Sequence, residues 1–274
     1  MLRSVAIATA AVFAASACAS MPAGSKALAL RAMTYNIQYG HEGLDSVAEV
    51  IRAQKPDIIG LQEVDVHWNE RSNFVDQAEV LAKKTGMNYR FARIYQLPNS
   101  DPSKPPREFG VAMLTRHPIL SFTNHIITRL STQDENPTPQ PLPGFLEAMV
   151  DVNGTKVRVF DVHLDYRRDP AVRERQVHEM LGYVGDSSIP TLMFGDMNAY
   201  PRAPELAPLF AKFHDTWPYA QDSGWSAPAR SPKGKIDYVL TLGDFRVVKA
   251  WVPEVYASDH LPVVVDLVLE TGSH

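Results

Sequence analysis

The chain has 274 residues, 45% of them hydrophobic and 21% charged, with a formal net charge of −4 at pH 7. That length accommodates one large domain or two small ones, and no shift of composition marks a linker between two. The acidic balance and the lack of a basic stripe argue against a non-specific nucleic-acid binder. A single cysteine, Cys18, excludes an intrachain disulfide, so stability has to come from an apolar core.

The N-terminus carries Arg3, an apolar run over 5–15 and the small-residue stretch Ala15-Ser16-Ala17-Cys18-Ala19-Ser20. That is the layout of a secretory signal peptide, and the run is too short for a transmembrane helix. The expected organisation is a signal peptide over 1–17, a tether over 18–26 and one catalytic domain over 27–270. Residues 15–18 also resemble the lipobox of bacterial lipoproteins, in which the cysteine is lipidated. Ala15 stands where leucine is usual, so simple cleavage and lipidation of Cys18 both fit. Either route implies an exported protein: periplasmic, anchored to the outer membrane, or secreted.

Residues 27–37 read as a strand ending in Met33-Thr34-Tyr35-Asn36-Ile37. Leu44, Val47, Ala48 and Ile51 then fall on one face of a helix over 44–53, which Pro56-Asp57 stops. Residues 58–62 form a short apolar strand ending at Glu63, and this strand–helix–strand opening predicts an α/β layered protein. A second helix over 75–85 is closed by Gly86. Strands follow over 90–96 and 109–115, separated by the proline-rich loop 97–107; Arg116-His117-Pro118 turns the chain, and 131–144, with prolines at 137, 139, 141 and 143, reads as irregular. Asn153-Gly154 is a hairpin turn between strands 145–152 and 156–162. Asp169-Pro170 opens a helix with Val177, Met180, Leu181 and Val184 on its buried side. Strands over 191–194, 236–241, 245–252 and 262–269, with a short helix over 204–210, complete the chain.

The apolar run 189–193 delivers Phe194-Gly195-Asp196-Met197-Asn198, whose Asp and Asn point the same way if the segment is extended. Polar residues recur at other strand ends: Asn36, Glu63, His163 with Asp165, Asp237, and Asp259-His260. Singly, each is as well explained as a turn or capping residue. Together, Thr34-Tyr35-Asn36-Ile37, Leu61-Gln62-Glu63-Val64-Asp65, Val162-His163-Leu164-Asp165, Gly195-Asp196-Met197-Asn198, Lys235-Ile236-Asp237-Tyr238 and Ser258-Asp259-His260-Leu261-Pro262 resemble, in order, the motifs of the endonuclease/exonuclease/phosphatase superfamily. The resemblance runs from about Ala32 to Leu269.

The resemblance implies a four-layered α/β sandwich, with two central, mostly antiparallel sheets flanked by helices, and a Mg²⁺- or Mn²⁺-dependent phosphoesterase site. Hard divalent cations take oxygen ligands, which suits these residue types. By similarity Glu63 is the principal metal ligand, supported by Asn36 and Asp259, while Asp196 activates water and Asn198 fixes the water or a phosphoryl oxygen. His260, held by Asp237 or Asp259, stabilises the transition state, and His163 donates to a phosphate oxygen. Asp165 and Arg71 are expected to contact substrate. The His163-Leu164-Asp165 stretch resembles the sphingomyelinase-like and inositol-phosphatase-like branches and exported bacterial members rather than apurinic endonucleases. The exported bacterial members are also similar in Glu70-Arg71 followed by Val75-Asp76-Gln77. The expected activity is hydrolysis of a phosphodiester or phosphomonoester, lipid-derived or small, by a monomer. A secreted nuclease and a catalytically silent binding module are the alternatives, since fold alone does not settle substrate.

Overall fold

The computed structural model describes residues 26–217 and 223–271; the signal peptide, Cys18, nearly all of the tether and Tyr219 lie outside them. In chain order the first half contains β1 (Lys26–Asn36), α1 (Leu44–Gln54), β2 (Ile58–Val66), α2 (Gln77–Thr85), β3 (Asn88–Leu97) and β4 (Arg107–Thr115). Then come β5 (Ile119–Leu130), β6 (Pro139–Val152), β7 (Thr155–His163), α3 (Ala171–Val184), β8 (Thr191–Asp196) and α4 (Ala207–Lys212). The chain closes with β9 (His214–Asp215), β10 (Asp237–Leu242), β11 (Phe245–Trp251) and β12 (Val263–Thr271). Two six-stranded sheets result, ordered β11-β12-β1-β2-β4-β3 and β5-β6-β7-β8-β10-β9. Each has one parallel pair at its middle, β1 with β2 and β7 with β8, joined through α1 and α3 respectively; the remaining pairs are antiparallel.

The helices begin and end where local chemistry dictates. Asp76 caps α2 by accepting from the Glu79 amide, and Gly86 closes it in the left-handed conformation. Lys55, also left-handed, ends α1 just before Pro56. Asp169 accepts from the Ala171 amide at the start of α3.

Alternation along the strands assigns the layers. Ala32, Ile58, Leu192, Phe194, Val239 and Val265 face the space between the sheets. Met33, Tyr35, Ile59 and Leu61 point outward to pack on Val47, Ile51 and Leu81 of α1 and α2. Phe160, Met193, Tyr238 and Leu240 do the same against Val177 and Met180 of α3 and Leu209 of α4. This is a four-layered sandwich.

One polar tie crosses the apolar interior. Gln62 donates to Asp161 Oδ1 at 2.6 Å and to Thr34 Oγ1 at 3.1 Å, linking the two sheets, and all three residues are fully buried. Gly60 makes room for it: a Cβ there would lie 2.5 Å from Cβ of Phe194 and 2.9 Å from Cγ of Asp161.

The segment 131–144 departs from the sequence expectation. Its second part is the start of β6, and β5, which the sequence reading passed over, is its partner. Pro139 and Pro141 sit opposite Leu130 and Thr128. Their spacing of two turns both ring nitrogens to the side away from β5, where β7 pairs only from Phe145 onward. The Thr128 amide correspondingly donates to Glu179 of α3. Prolines that argue against a strand when counted are compatible with one when they share a parity.

Burial holds the Asp161 carboxyl proton well above the usual carboxylate range, and the hydrogen bond from Gln62 only partly opposes this. A raised folded-state pKa stabilises the native state below the unfolded value of about 3.9 and loses that contribution as pH rises toward the folded one. Asp161→Asn keeps the shape without the charge. It should melt at least ~2 °C above the native protein at pH 8, with the gap closing near pH 4. A lower melting temperature than the native protein at pH 8 would contradict the neutral carboxyl.

Candidate active site

The site forms at the C-terminal ends of the two parallel pairs, where a sheet changes direction and leaves a crevice. β1 ends at Asn36, β7 at His163 and β8 at Asp196, all on the face between the sheets. β10 runs the opposite way and starts at Asp237, paired directly with Asp196. The loop before β12 adds Ser258-Asp259-His260, and Ser258 Oγ ties it to the Asn36 carbonyl at 2.8 Å.

Glu63 arrives by a different device. Leu61 pairs with Ala112 and Val64 with Gly110, so β2 carries one extra residue at this point. Glu63 takes φ 56°, a left-handed conformation that costs a non-glycine residue roughly 1–3 kcal/mol. The bulge lets Gln62 serve the buried tie while the adjacent Glu63 reaches Asn36.

Asn36 Nδ2 donates to Glu63 Oε1 and to Asp196 Oδ2, both at 3.0 Å, and its Oδ1 accepts from the Gln38 amide. Asp196 Oδ1 accepts from the Asn198 amide at 2.9 Å. Asp196 Oδ2 also faces Nε2 of His163 at 3.6 Å and Nε2 of His260 at 3.8 Å. His260 Nδ1 meets Asp237 Oδ2 at 2.9 Å, which resolves its partner as Asp237 rather than Asp259. Asn198, at φ 48°, donates its side-chain amide to the Leu164 carbonyl.

These contacts set the charges. Burial would depress the His260 pKa, but the charge and hydrogen bond of Asp237, then the charges of Asp196 and Asp259, override it and raise it to about 10. Burial and the Asp237 charge push Asp196 above the usual carboxylate value, against the pull of His260, His163 and Asn36. The result is a cation held beside a carboxylate of raised basicity.

Asp196, Asp237 and His260 bring ligand atoms within 4.8 Å of one another, close enough to hold an ion. The His260 pKa of about 10 keeps both ring nitrogens protonated at neutral pH, Nδ1 toward Asp237 and Nε2 facing Asp196, so a proton relay explains this cluster better. A hard divalent cation fits Glu63 instead. Only one of its carboxylate oxygens is hydrogen-bonded among the described residues, and it lines an open cavity. Mg²⁺ commonly takes one or two carboxylates and completes its shell with water and substrate oxygens. Asn36, expected as a ligand, has its oxygen on the Gln38 amide and its nitrogen on the two carboxylates, which makes it the spacer between them. Asp259 is exposed on the rim, its Oδ1 accepting from Ser258.

The other expected residues are placed as follows. Asp165 reaches the cavity wall, but both of its oxygens are bound by Arg167. Arg71 is clamped by Asp65 through two hydrogen bonds of 2.9 Å and lies over the Tyr39 ring, 4.2 Å from its centroid. His125, away from this site, pairs with Glu147 and stacks on Tyr183. Tyr39, Asp65 and Gln176 were missed. The spacing of Asp65 from Arg71 was visible, but nothing in sequence distinguishes a buried carboxylate from a turn residue.

Residues 33–260 match the model of the Endonuclease/Exonuclease/phosphatase family. The chain belongs to this family. Members of the family are phosphoester hydrolases that generally use a divalent metal. No curated protein matches the chain in sequence. Among solved structures, a family member from Beutenbergia cavernae superposes with a TM-score of 0.68 at 25% identity, covering 88% of this chain and 72% of its own. A mannosyl-6-phosphatase from Bacteroides thetaiotaomicron gives 0.61 at 17% identity, over 88% and 100%. The human Nocturnin catalytic domain, bearing sulfate, gives 0.62 at 20% identity, over 90% and 97%. These last two are alike in fold.

The His260 assignment has a direct readout. In the metal-free family member, the His260 ring should keep its proton through neutral pH and lose it near pH 10 by NMR titration. Asp237→Asn should bring the transition down toward the ordinary value of about 6.5. An unshifted transition in that variant would remove Asp237 as the cause.

Proposed function

We propose that the protein is an exported, Mg²⁺- or Mn²⁺-dependent hydrolase that attacks a phosphodiester or phosphomonoester with an activated water. The observation that carries this reading is the Asp196 carboxylate, buried and fixed by Asn36 and the Asn198 amide, with two imidazoles facing the same oxygen. A base of raised pKa beside a stable cation is what water attack on phosphorus requires.

Asp196 takes the proton of the attacking water. Asn198, whose amide nitrogen is held by Leu164, offers its side-chain oxygen to orient that water. The charged His260, backed by Asp237, and His163 stabilise the negative charge that builds on the phosphoryl oxygens. Glu63 would hold the metal, with Asp259 as a second carboxylate, and the bound ion would supply Lewis-acid neutralisation of phosphoryl charge. Asn36 keeps Glu63 and Asp196 from drifting apart under mutual repulsion. Arg71 and the wall at Asp165 bound the substrate side.

The net charge of −4 supports a lipid-derived or small-molecule ester over a nucleic-acid polymer. The signal-like layout of residues 1–17 supports export, with Cys18 as a membrane anchor if it is lipidated. We take the active form to be a monomer.

The purified protein should hydrolyse at least one of sphingomyelin, a phosphoinositide, an aryl phosphodiester or an aryl phosphomonoester with Mg²⁺ or Mn²⁺, and lose this in EDTA. Asp196→Ala and His260→Ala should each lower kcat/KM by about 10²–10⁴-fold. Glu63→Gln should weaken Mn²⁺ binding in a calorimetric titration. Equal rates in all variants would overturn the role assignments. Faster cleavage of DNA than of every other ester would overturn the substrate preference.

A further inference from the structure

Beside the catalytic cluster lies a cavity of about 230 Å³ whose wall includes Glu63 and His163. It therefore opens where a phosphoryl group would sit, but it extends away from Asp196 and His260, between the β3–β4 side of one sheet and β5 of the other. One wall is aromatic, formed by Tyr39, Trp68, Tyr95 and Phe109, with Tyr95 stacked on Phe109 at a ring separation of 6.0 Å. The volume is below the ~300–1,000 Å³ that drug-sized ligands fill, and suits a single ring.

The walls are fixed in advance. The Arg71 guanidinium is pinned by the buried Asp65 and sandwiched near Tyr39 and Trp68, at 4.2 and 5.2 Å from their centroids. Its Nη1 makes no hydrogen bond among the described residues and is left for a ligand. Arg129, also in the wall, is buried, and its hydrogen-bond partners are three backbone carbonyls, those of Pro143, Gly144 and His163. Its charge thus has no carboxylate bound to it among the described residues, which gives the cavity a positive bias suited to an anionic ester.

A second, independent observation points to a ligand. Gln176 is fully buried and lines the cavity; its Oε1 accepts from the Asp165 amide, while its Nε2 has no partner. An unmet buried donor is destabilising unless something supplies an acceptor. An oxygen carried on a bound ring would do so.

We propose that this cavity is the leaving-group subsite, and that it selects phosphoesters of a single ring-sized alcohol bearing an oxygen substituent. The ring packs on the aromatic wall, and Arg71, Arg129 and Gln176 position its polar atoms. Planar aromatic rings and saturated hydroxylated rings share this chemistry. The inference rests on the hydrolase reading for its name as a leaving-group site, but its test does not.

Calorimetric titration of the Mn²⁺-loaded protein with phenylphosphonate, a hexose 6-phosphonate and methylphosphonate, none of which is hydrolysed, reads the subsite directly. At least one ring-bearing phosphonate should bind tenfold or more tightly than methylphosphonate, and the better of the two names the ring class. Thr132→Trp, at an exposed position on the cavity rim, should erase that preference. Trp68→Leu, a second variant that opens the wall, should reduce it, with circular dichroism as the check on folding. Equal binding of all three phosphonates, or a ring preference that survives Thr132→Trp undiminished, would overturn the proposal. Ring-selective binding without turnover of any ester would retain the subsite and defeat the hydrolase reading, so the two fail separately.

Discussion

The arrangement depends on how closely the two sheets are held and at what register. Apolar packing between sheets is tolerant of small slides, because it is non-directional. The Thr34–Gln62–Asp161 tie is not: it needs three polar groups from two sheets to meet within hydrogen-bond distance in a dry interior. Asn36 and His163 lie two residues beyond Thr34 and Asp161 on the same strand faces, and Glu63 follows Gln62. The tie therefore sets the distance across which the catalytic groups face each other. Buried polar groups gain such specificity at a cost in stability, and the unmet Asp161 Oδ2 is where that cost is visible.

The site itself is an exercise in holding like charges together. Asp196 and Asp237 are adjacent in register across β8 and β10, and Glu63 shares Asn36 with Asp196. Three carboxylates in one crevice would repel, and the structure answers with an amide between two of them and an imidazolium beside the third. This explains why Asn36 serves better as a donor than as a ligand. The raised pKa of His260 and the raised basicity of Asp196 are two consequences of the same crowding.

Much of this was legible in the sequence. A layered α/β protein followed from the strand–helix–strand opening and the four layers from the resemblance, while Asn36, Glu63, His163, Asp196, Asp237 and His260 stood out because polar residues beside apolar runs are a local signal. What could not be read was whatever depends on a partner strand. β5 has no local signal of its own, and the prolines of β6 read locally as breakers, since their compatibility rests on which side of β6 is left unpaired. The bulge at Glu63 carries no glycine to announce it. Asp165 looked like a substrate contact, but Arg167 two residues away holds both of its oxygens. The aromatic wall is gathered from loops and strands far apart in the chain, so no window of sequence contains it.

The prolines of β6 have a meaning beyond their own strand. Between Pro139 and Gly144 that strand extends past its neighbour β7, leaving a flank without a strand partner, and Pro139 sits opposite Leu130 of the cavity wall. A flank with regular amide hydrogens invites a foreign strand to add itself, by self-association or by capture of an extended peptide. Ring nitrogens at alternate positions remove those hydrogens from the open side. The molecule thus carries beside its catalytic crevice a border that cannot be templated, and small solutes retain access to a place that a neighbouring chain would otherwise seal.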